Sequence, residues 1–259
     1  MIFYFSGTGN SKWAAKYVAE ATADRLLYIP DEMRGDMTYT LQAGERLGFV
    51  IPVHGWRPPV LVRNFLSKCQ FVATGPVYTY LVYTAGDSIG KATEMFEADL
   101  APHGLTLSAA LSLIMPESYV GLPFMDVDKP EKEQAKKQRA ATELKQFVTD
   151  TILARATGVR QLVRGPLPAL FSGVIGGFFT RYLITDKRFH VDSDRCTHCG
   201  LCASVCPVHD ISGGKGTEPV WKHQGNCLTC FACYHHCPVH AIEFGRQTQH
   251  KGQYYYNKK

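Results

Sequence analysis

Residues 1–11 read "MIFYFSGTGNS". The run IFYF has the aromatic and β-branched character of a buried strand. SGTGNS is small and polar, and "KWAAKYVAEATADRL" after it takes up helical spacing. A glycine-rich turn between a strand and a helix points backbone N–H groups at one spot, and the helix N-terminus favours negative charge there. The loop Ser6, Gly7, Thr8, Gly9, Asn10, Ser11 therefore suits a phosphate. Ser6, Thr8 and Ser11 offer hydroxyls, and Asn10 offers an amide. The loop has neither G-x4-G-K-[ST] nor G-x-G-x-x-G, so a nucleoside triphosphate or dinucleotide pyrophosphate is not expected.

Four further strands are expected downstream: "RLLYIP" as a weak one, then "RLGFVIPVHG", "VYTYLVYTAGD" and "LTLSAALSLIMP". Helical patterns separate them, among them "PPVLVRNFLSKC" and "SIGKATEMFEADLAPHG". A long helix, "KPEKEQAKKQRAATELKQFVTDTILARATG", stops at Gly158. Near-continuous apolar strands alternating with helices predict a doubly wound α/β domain over 1–158, with five parallel strands covered on both faces.

Residues 159–185 form an apolar connector. Its uncharged run between Arg164 and Arg181 is 16 residues, with two prolines and four glycines. Spanning a bilayer takes ~20 residues. The segment reads either as a membrane-associated element or as a helix buried between two domains; the buried reading is expected, with no transmembrane span.

Residues 186–246 hold eight of the nine cysteines. "CTHCGLCASVCP" and "CLTCFACYHHCP" both follow C-x2-C-x2-C-x3-C-P, and a shift of 31 residues carries Cys196 onto Cys227. Such a repeat suggests a pseudo-twofold unit. Zinc ribbons also use C-x2-C pairs, but they seldom set four ligands in eleven residues with a proline behind, twice. The runs are read as ligands of iron–sulfur clusters. His198, His235 and His236 lie inside these runs and are expected to be solvated loop residues. Cys69 is expected to be a packed free thiol. The tail 247–259 is polar and basic and is expected to be a partly ordered extension without chemistry.

These motifs resemble known families. The cysteine runs resemble bacterial-type two-cluster ferredoxins, small α+β domains in which the fourth cysteine of each run serves the other cluster. The resemblance implies one [4Fe–4S] cluster on Cys196, Cys199, Cys202 and Cys237, and a second on Cys227, Cys230, Cys233 and Cys206. The first loop resembles the flavodoxin loop [ST]-x-T-G-N-[ST], which holds the FMN phosphate without Lys or Arg. Flavodoxins hold the isoalloxazine on the loops after the third and fourth strands. That implies Pro52, Val53, His54, Gly55 and Trp56 in one loop, with Trp56 covering a ring face, and Thr84, Ala85, Gly86 and Asp87 in the other. His54 departs from the acidic loops of small flavodoxins and would act as a donor or cation near the flavin. The whole chain resembles the flavodoxin–ferredoxin fusion proteins of anaerobic bacteria and archaea.

The resemblance implies an electron-transfer protein with FMN and two [4Fe–4S] clusters, exchanging one- and two-electron steps with a redox partner such as a ferredoxin, flavoprotein or reductase. The alternative is an FMN-dependent reductase acting on a small-molecule electron acceptor; no catalytic residue is assigned for it. A formal net charge of +5 without a dense basic stripe gives no argument for nucleic acid. Clustered cysteines in a chain whose first strand begins at Ile2, with no basic leader region, imply a reducing cytoplasm.

Overall fold

The computed structural model describes residues 1–258. The strands of the N-terminal half are β1 (Ile2–Tyr4), β2 (Leu26–Tyr28), β3 (Thr38–Leu41), β4 (Arg46–Pro52), β5 (Gln70–Ala73), β6 (Tyr78–Ala85), β7 (Ala109–Ile114) and β8 (Val159–Gln161). Six form one sheet in the order β2-β1-β4-β6-β7-β8, parallel throughout. The five expected strands are all present, but the sheet has six. The long helix ends at Leu153 rather than at Gly158, and after a short turn Val159–Gln161 runs beside Ala109–Leu111. A three-residue edge strand with an arginine at its centre has no apolar run to announce it.

The period of two in the strands sorts their side chains onto two faces. Phe3, Leu47, Phe49, Ile51, Leu81 and Tyr83 join one core. Ile2, Tyr4, Val50, Tyr80, Val82 and Leu111 join the other. Each fully buried large side chain of this kind contributes roughly 1.5–3 kcal/mol. Helix Val60–Leu66 and helix Ala92–Leu100 supply Phe65 and Phe96 to the first core, and Asn10–Thr22 and Pro130–Phe147 cover the second. β3 and β5 pair with each other in a separate parallel ribbon, whose Tyr39 and Leu41 close the first core.

The connector is helical from Pro168 to Leu183, in four abutting segments of α and π geometry. It packs on the N-terminal domain through its small residues. Arg57 donates from Nε to the carbonyl of Ser172 at 2.6 Å and from Nη2 to that of Gly173 at 2.8 Å. Ser172 Oγ donates to the carbonyl of Trp56 at 2.8 Å and accepts from the N–H of Lys91 at 2.7 Å. Because glycine and serine take the inner face, most of the large apolar side chains point outward, where a fully buried segment was expected. Among the described residues no helix is long and apolar enough to cross a membrane.

The C-terminal domain pairs β9 (Phe189–Val191) with β12 (Ile242–Phe244), and β10 (Ile211–Ser212) with β11 (Val220–Trp221), both antiparallel. The 31-residue repeat is structural. It carries the short helix Leu201–Ser204 onto Ala232–His235. It also carries the left-handed backbone at His198, Gly200 and His209 onto Thr229, Phe231 and His240.

The two halves share a core. Val120, in the loop after β7, is buried among the ferredoxin residues, and Leu228 is buried in the core of the sheet. The tail, expected to be a loose extension, lies across the first loop. Tyr256 N–H donates to the Thr8 carbonyl at 2.8 Å, and its ring stacks on Trp13 at 5.2 Å. Tyr254 Oη donates to Asn10 Oδ1 at 2.6 Å. Consecutive tyrosines have no periodicity to show that they pack, and Thr8, Asn10 and Trp13 lie more than 200 positions away from them.

Gly48 in the middle of β4 makes room for the Tyr80 ring, which is fully buried; a Cβ at 48 would collide with it. Gly48→Ala is expected to destabilise the N-terminal domain by about 1–3 kcal/mol, the range for overpacking a core. Urea unfolding followed by tyrosine and tryptophan fluorescence measures it; an unchanged midpoint would show that the ring yields freely.

Candidate functional site

Parallel strands deliver their following loops to one edge, so the carboxyl ends of β1, β4, β6 and β7 bring four loops together. Between them is a cavity of about 240 Å3. Of the residues expected to hold FMN, Ser6, Gly7, Thr8, Asn10, Ser11, Pro52–Trp56 and Thr84–Asp87 line it. Gly9 is set back from the lining. Its φ of 98° makes the turn, and a Cβ there would lie 2.9 Å from Tyr256 Cβ.

Several polar side chains of the first loop are tied to the protein. Asn10 Nδ2 donates to the Pro116 carbonyl at 3.1 Å. Ser11 Oγ and Thr84 Oγ1 are 2.7 Å apart, and Thr8 Oγ1 donates to Ser118 Oγ at 3.2 Å. Ser6 Oγ accepts from the Gly9 N–H at 3.0 Å. These bonds hold the loop open in one shape. The anion donors left are the backbone N–H groups at the start of helix Asn10–Thr22, which have no carbonyl a turn earlier to receive them. An open loop of amides at a helix N-terminus fits a phosphate group.

Trp56 lines the cavity but is braced from behind. Its Nε1–H donates to Ser88 Oγ at 3.1 Å, and its ring meets Phe171 of the connector at 4.7 Å. His54 is set edge-on to Phe5, with ring centroids 6.0 Å apart. Burial lowers its pKa from 6.5 to about 4, so it is neutral at ordinary pH. The cationic role considered for His54 is therefore not available, although its ring can still donate a hydrogen bond.

Sequence reasoning missed the fourth loop. Glu117 Oε1 accepts from the N–H groups of Ser118 and Tyr119 at 2.9 and 2.8 Å, and the carboxyl lies against Gly86, where a Cβ would strike it. Burial raises its pKa above the ordinary value, against the pull of those two amides and of Lys136. Asp128 bridges Lys132 and Lys136 behind it, at 2.7 and 2.6 Å. "PESY" after the fourth strong strand was the available signal. The cavity wall is completed by Tyr119, Leu122, Met125 and Phe179, and by Leu228, Thr229 and Cys230 from the C-terminal domain.

The eight cysteines gather as two separate sets. One small cavity is lined by Cys206, Cys227, Cys230 and Cys233, the other by Cys196, Cys199, Cys202 and Cys237. Burial pushes the Cys230 thiol up to about 12 and that of Cys202 up to about 11. Such sites favour thiolates only when a cationic centre is bound. Backbone N–H groups already point at the sulfurs: Asp210 to Cys206 at 3.3 Å, Ala241 to Cys237 at 3.2 Å, and Thr229 to Cys227 at 3.4 Å. The first two are related by the 31-residue repeat. Among the described residues no three Cys, His, Asp or Glu side chains close on one point as a single-ion site requires. The donor set and its left-handed turns fit a larger cluster.

Residues 188–238 match the 4Fe-4S dicluster domain family. The C-terminal segment is a ferredoxin domain, and its chemistry is iron–sulfur electron transfer. Comparison with curated proteins returns no match for the chain.

The histidines of the cysteine runs differ from expectation. His198 is exposed, but His235 is buried: its Nδ1 accepts from the Tyr254 N–H at 3.1 Å, and its Nε2 donates to the Ser118 carbonyl at 2.7 Å. It is a neutral strut between the ferredoxin domain, the cavity loop and the tail. His236 stacks on Tyr255 at 4.4 Å. Cys69 is a buried free thiol, pushed up to about 12 by burial.

The lowered pKa of His54 has a stability consequence of definite sign. Below pH 6.5 the unfolded chain takes up a proton that the folded His54 refuses until about pH 4. Its contribution is therefore complete above 6.5 and is lost as pH falls toward 4. His54→Asn is expected to reduce the loss of stability between about pH 7 and pH 5 by about 1–2 kcal/mol, a value discounted because the ring is only partly enclosed. Anaerobic urea unfolding of both chains at the two pH values measures this; parallel pH dependence would place the His54 ring in solvent.

Proposed function

We propose that the protein relays electrons between two [4Fe–4S] clusters and an FMN within one chain, and exchanges them with a redox protein partner. The observation that supports this reading most directly is the cavity shared by the flavodoxin-type loops and Cys230. A Cβ on Gly7, in the phosphate-type loop, would lie 2.9 Å from Cys230 Cβ. No such approach is needed for two domains that merely share a chain.

In this reading Cys227, Cys230, Cys233 and Cys206 hold the inner cluster beside the flavin, and Cys196, Cys199, Cys202 and Cys237 hold the outer one. Each set buries two of its cysteines, but Cys199 is exposed where its repeat partner Cys230 is half-buried against the first loop, which gives the outer cluster the face open to a partner. FMN, when bound, supplies the ability to take electrons singly or in pairs, whereas each cubane passes one. The backbone amides of the first loop bind the phosphate. Pro52–Trp56 and Thr84–Asp87 position the ring, and Phe179, Tyr119 and Leu122 exclude water from it. Glu117, whose pKa burial raises, places its carboxyl beside Gly86 at the edge of the ring site.

The apolar roof of Phe179, Tyr119, Leu122 and Met125 favours a second reading, in which a small acceptor is reduced at the flavin. A catalytic assignment would then begin with Glu117.

Three measurements test the proposal. Anaerobically purified protein is expected to carry eight iron and eight acid-labile sulfide per chain; two zinc and no sulfide would refute the cluster assignment. Thr8→Val, which removes the Thr8–Ser118 bond that shapes the loop, is expected to weaken FMN binding by about 1 kcal/mol, and the wild type to discriminate against riboflavin; equal titration curves for FMN and riboflavin would remove the phosphate from the first loop. In rapid mixing with a one-electron donor, cluster bleaching is expected to precede flavin reduction at a rate independent of protein concentration. A rate that scales with concentration would mean that electrons cross only between molecules.

A further inference from the structure

The connector helix has two faces of different kinds. Its small residues are pinned to the loops at 55–57 and 90–91. Leu170, Val174, Phe178 and Tyr182 are spaced four apart, which places them on one side of the helix, and Leu167 precedes them at its N-cap. That side is uncovered: Leu167 is 65% exposed, Val174 71%, Phe178 56% and Tyr182 59%. A helix from Pro168 to Leu183 is roughly 24 Å long, and isolated exposed leucines are common where a continuous ridge of them is not.

The charges around the ridge discriminate among occupants. From 158 to 185 the chain carries Arg160, Arg164 and Arg181 and no acidic residue. Arg160 and Arg164 are paired with Glu97 and Glu94. Arg181 and Lys187, at the other end of the helix, are exposed and have no acidic partner among the described residues. A second copy meeting this face antiparallel would set Arg181 against the Arg164–Glu94 and Arg160–Glu97 pairs, where its charge would meet no unpaired carboxylate. The stripe is also a ridge rather than a groove, so it needs a medium that yields around it. A bilayer with anionic headgroups supplies both the apolar depth and the counter-charge.

We infer that the outer face of helix Pro168–Leu183 lies in the surface of an anionic membrane, with Val174 and Phe178 inserted and Arg181 among the headgroups. The helix does not cross. Phe178 points outward while its neighbour Phe179 lines the cavity, so docking brings the cavity to within about one helix diameter of the lipid, ~10 Å. This placement does not depend on what the cavity binds.

Flotation of the intact, anaerobically purified protein tests it, using vesicles of phosphatidylcholine mixed with phosphatidylglycerol and vesicles of phosphatidylcholine alone. The wild type is expected to float with the mixed vesicles and to bind the neutral ones more weakly. Val174→Glu/Phe178→Glu is expected to lose about tenfold or more in partitioning, with its iron content unchanged because both side chains point into solvent. Arg181→Gln is expected to lose several-fold on mixed vesicles and nothing on neutral ones. Wild-type protein that stays with neither vesicle overturns the inference, as does a double variant that floats equally well. A wild-type dimer that the double variant disperses, without vesicle binding, would assign the ridge to a second copy. Retention by an acidic redox protein alone would assign it to a protein partner.

Discussion

The backbone of Gly7 and the side chain of Cys230 come together at a distance that leaves no room for a Cβ at position 7. Much of the molecule is arranged around that contact. It requires the first loop to be held still, which the bonds of Asn10, Ser11 and Thr8 to neighbouring loops accomplish. It requires the C-terminal domain to dock in one orientation, which Leu228 and Val120 secure by each entering the other half's core. Tyr119 adds an aromatic bridge, with Phe231 at 5.4 Å on one side and Phe179 at 5.2 Å on the other. Cavity, interface and connector are therefore one construction.

The ferredoxin repeat is symmetric in its backbone and asymmetric in its surroundings. One N–H···S bond and three left-handed positions recur 31 positions apart. Yet one half-module abuts the sheet while the other keeps Cys199 exposed. Desolvation disfavours added charge, so the electrostatic environments of the two sets differ even though their ligands match. The two cysteine sets are thus made different by docking alone, without any change in the ligand loops.

The parts legible in the sequence were those whose signal is local. Apolar runs located β1, β4, β6 and β7 because burial on both faces demands such runs, and C-x2-C-x2-C-x3-C-P located the cysteine sets because a compact centre demands that spacing. The sixth strand, Val159–Gln161, was missed because an edge strand of three residues is defined by its neighbour. The β3–β5 ribbon was missed for the same reason. Tyr254, His235 and Glu117 were missed because their roles arise from contacts between distant segments, such as Ser118 with His235. The connector's apolar content was legible, but periodicity tells which residues share a face and not whether anything covers it.

The strap formed by Tyr254 and Tyr256 has a consequence for biogenesis. Asn10 is translated 244 positions before the tyrosine hydroxyl that fixes its amide. During synthesis the first loop therefore exists for a long interval without its cover, while the sheet behind it can already fold from segments nearer in sequence. In that interval the loop is held by Thr84, Pro116 and Ser118 alone. The tyrosine strap is added only when the chain is nearly complete, so it serves as a latch that closes late.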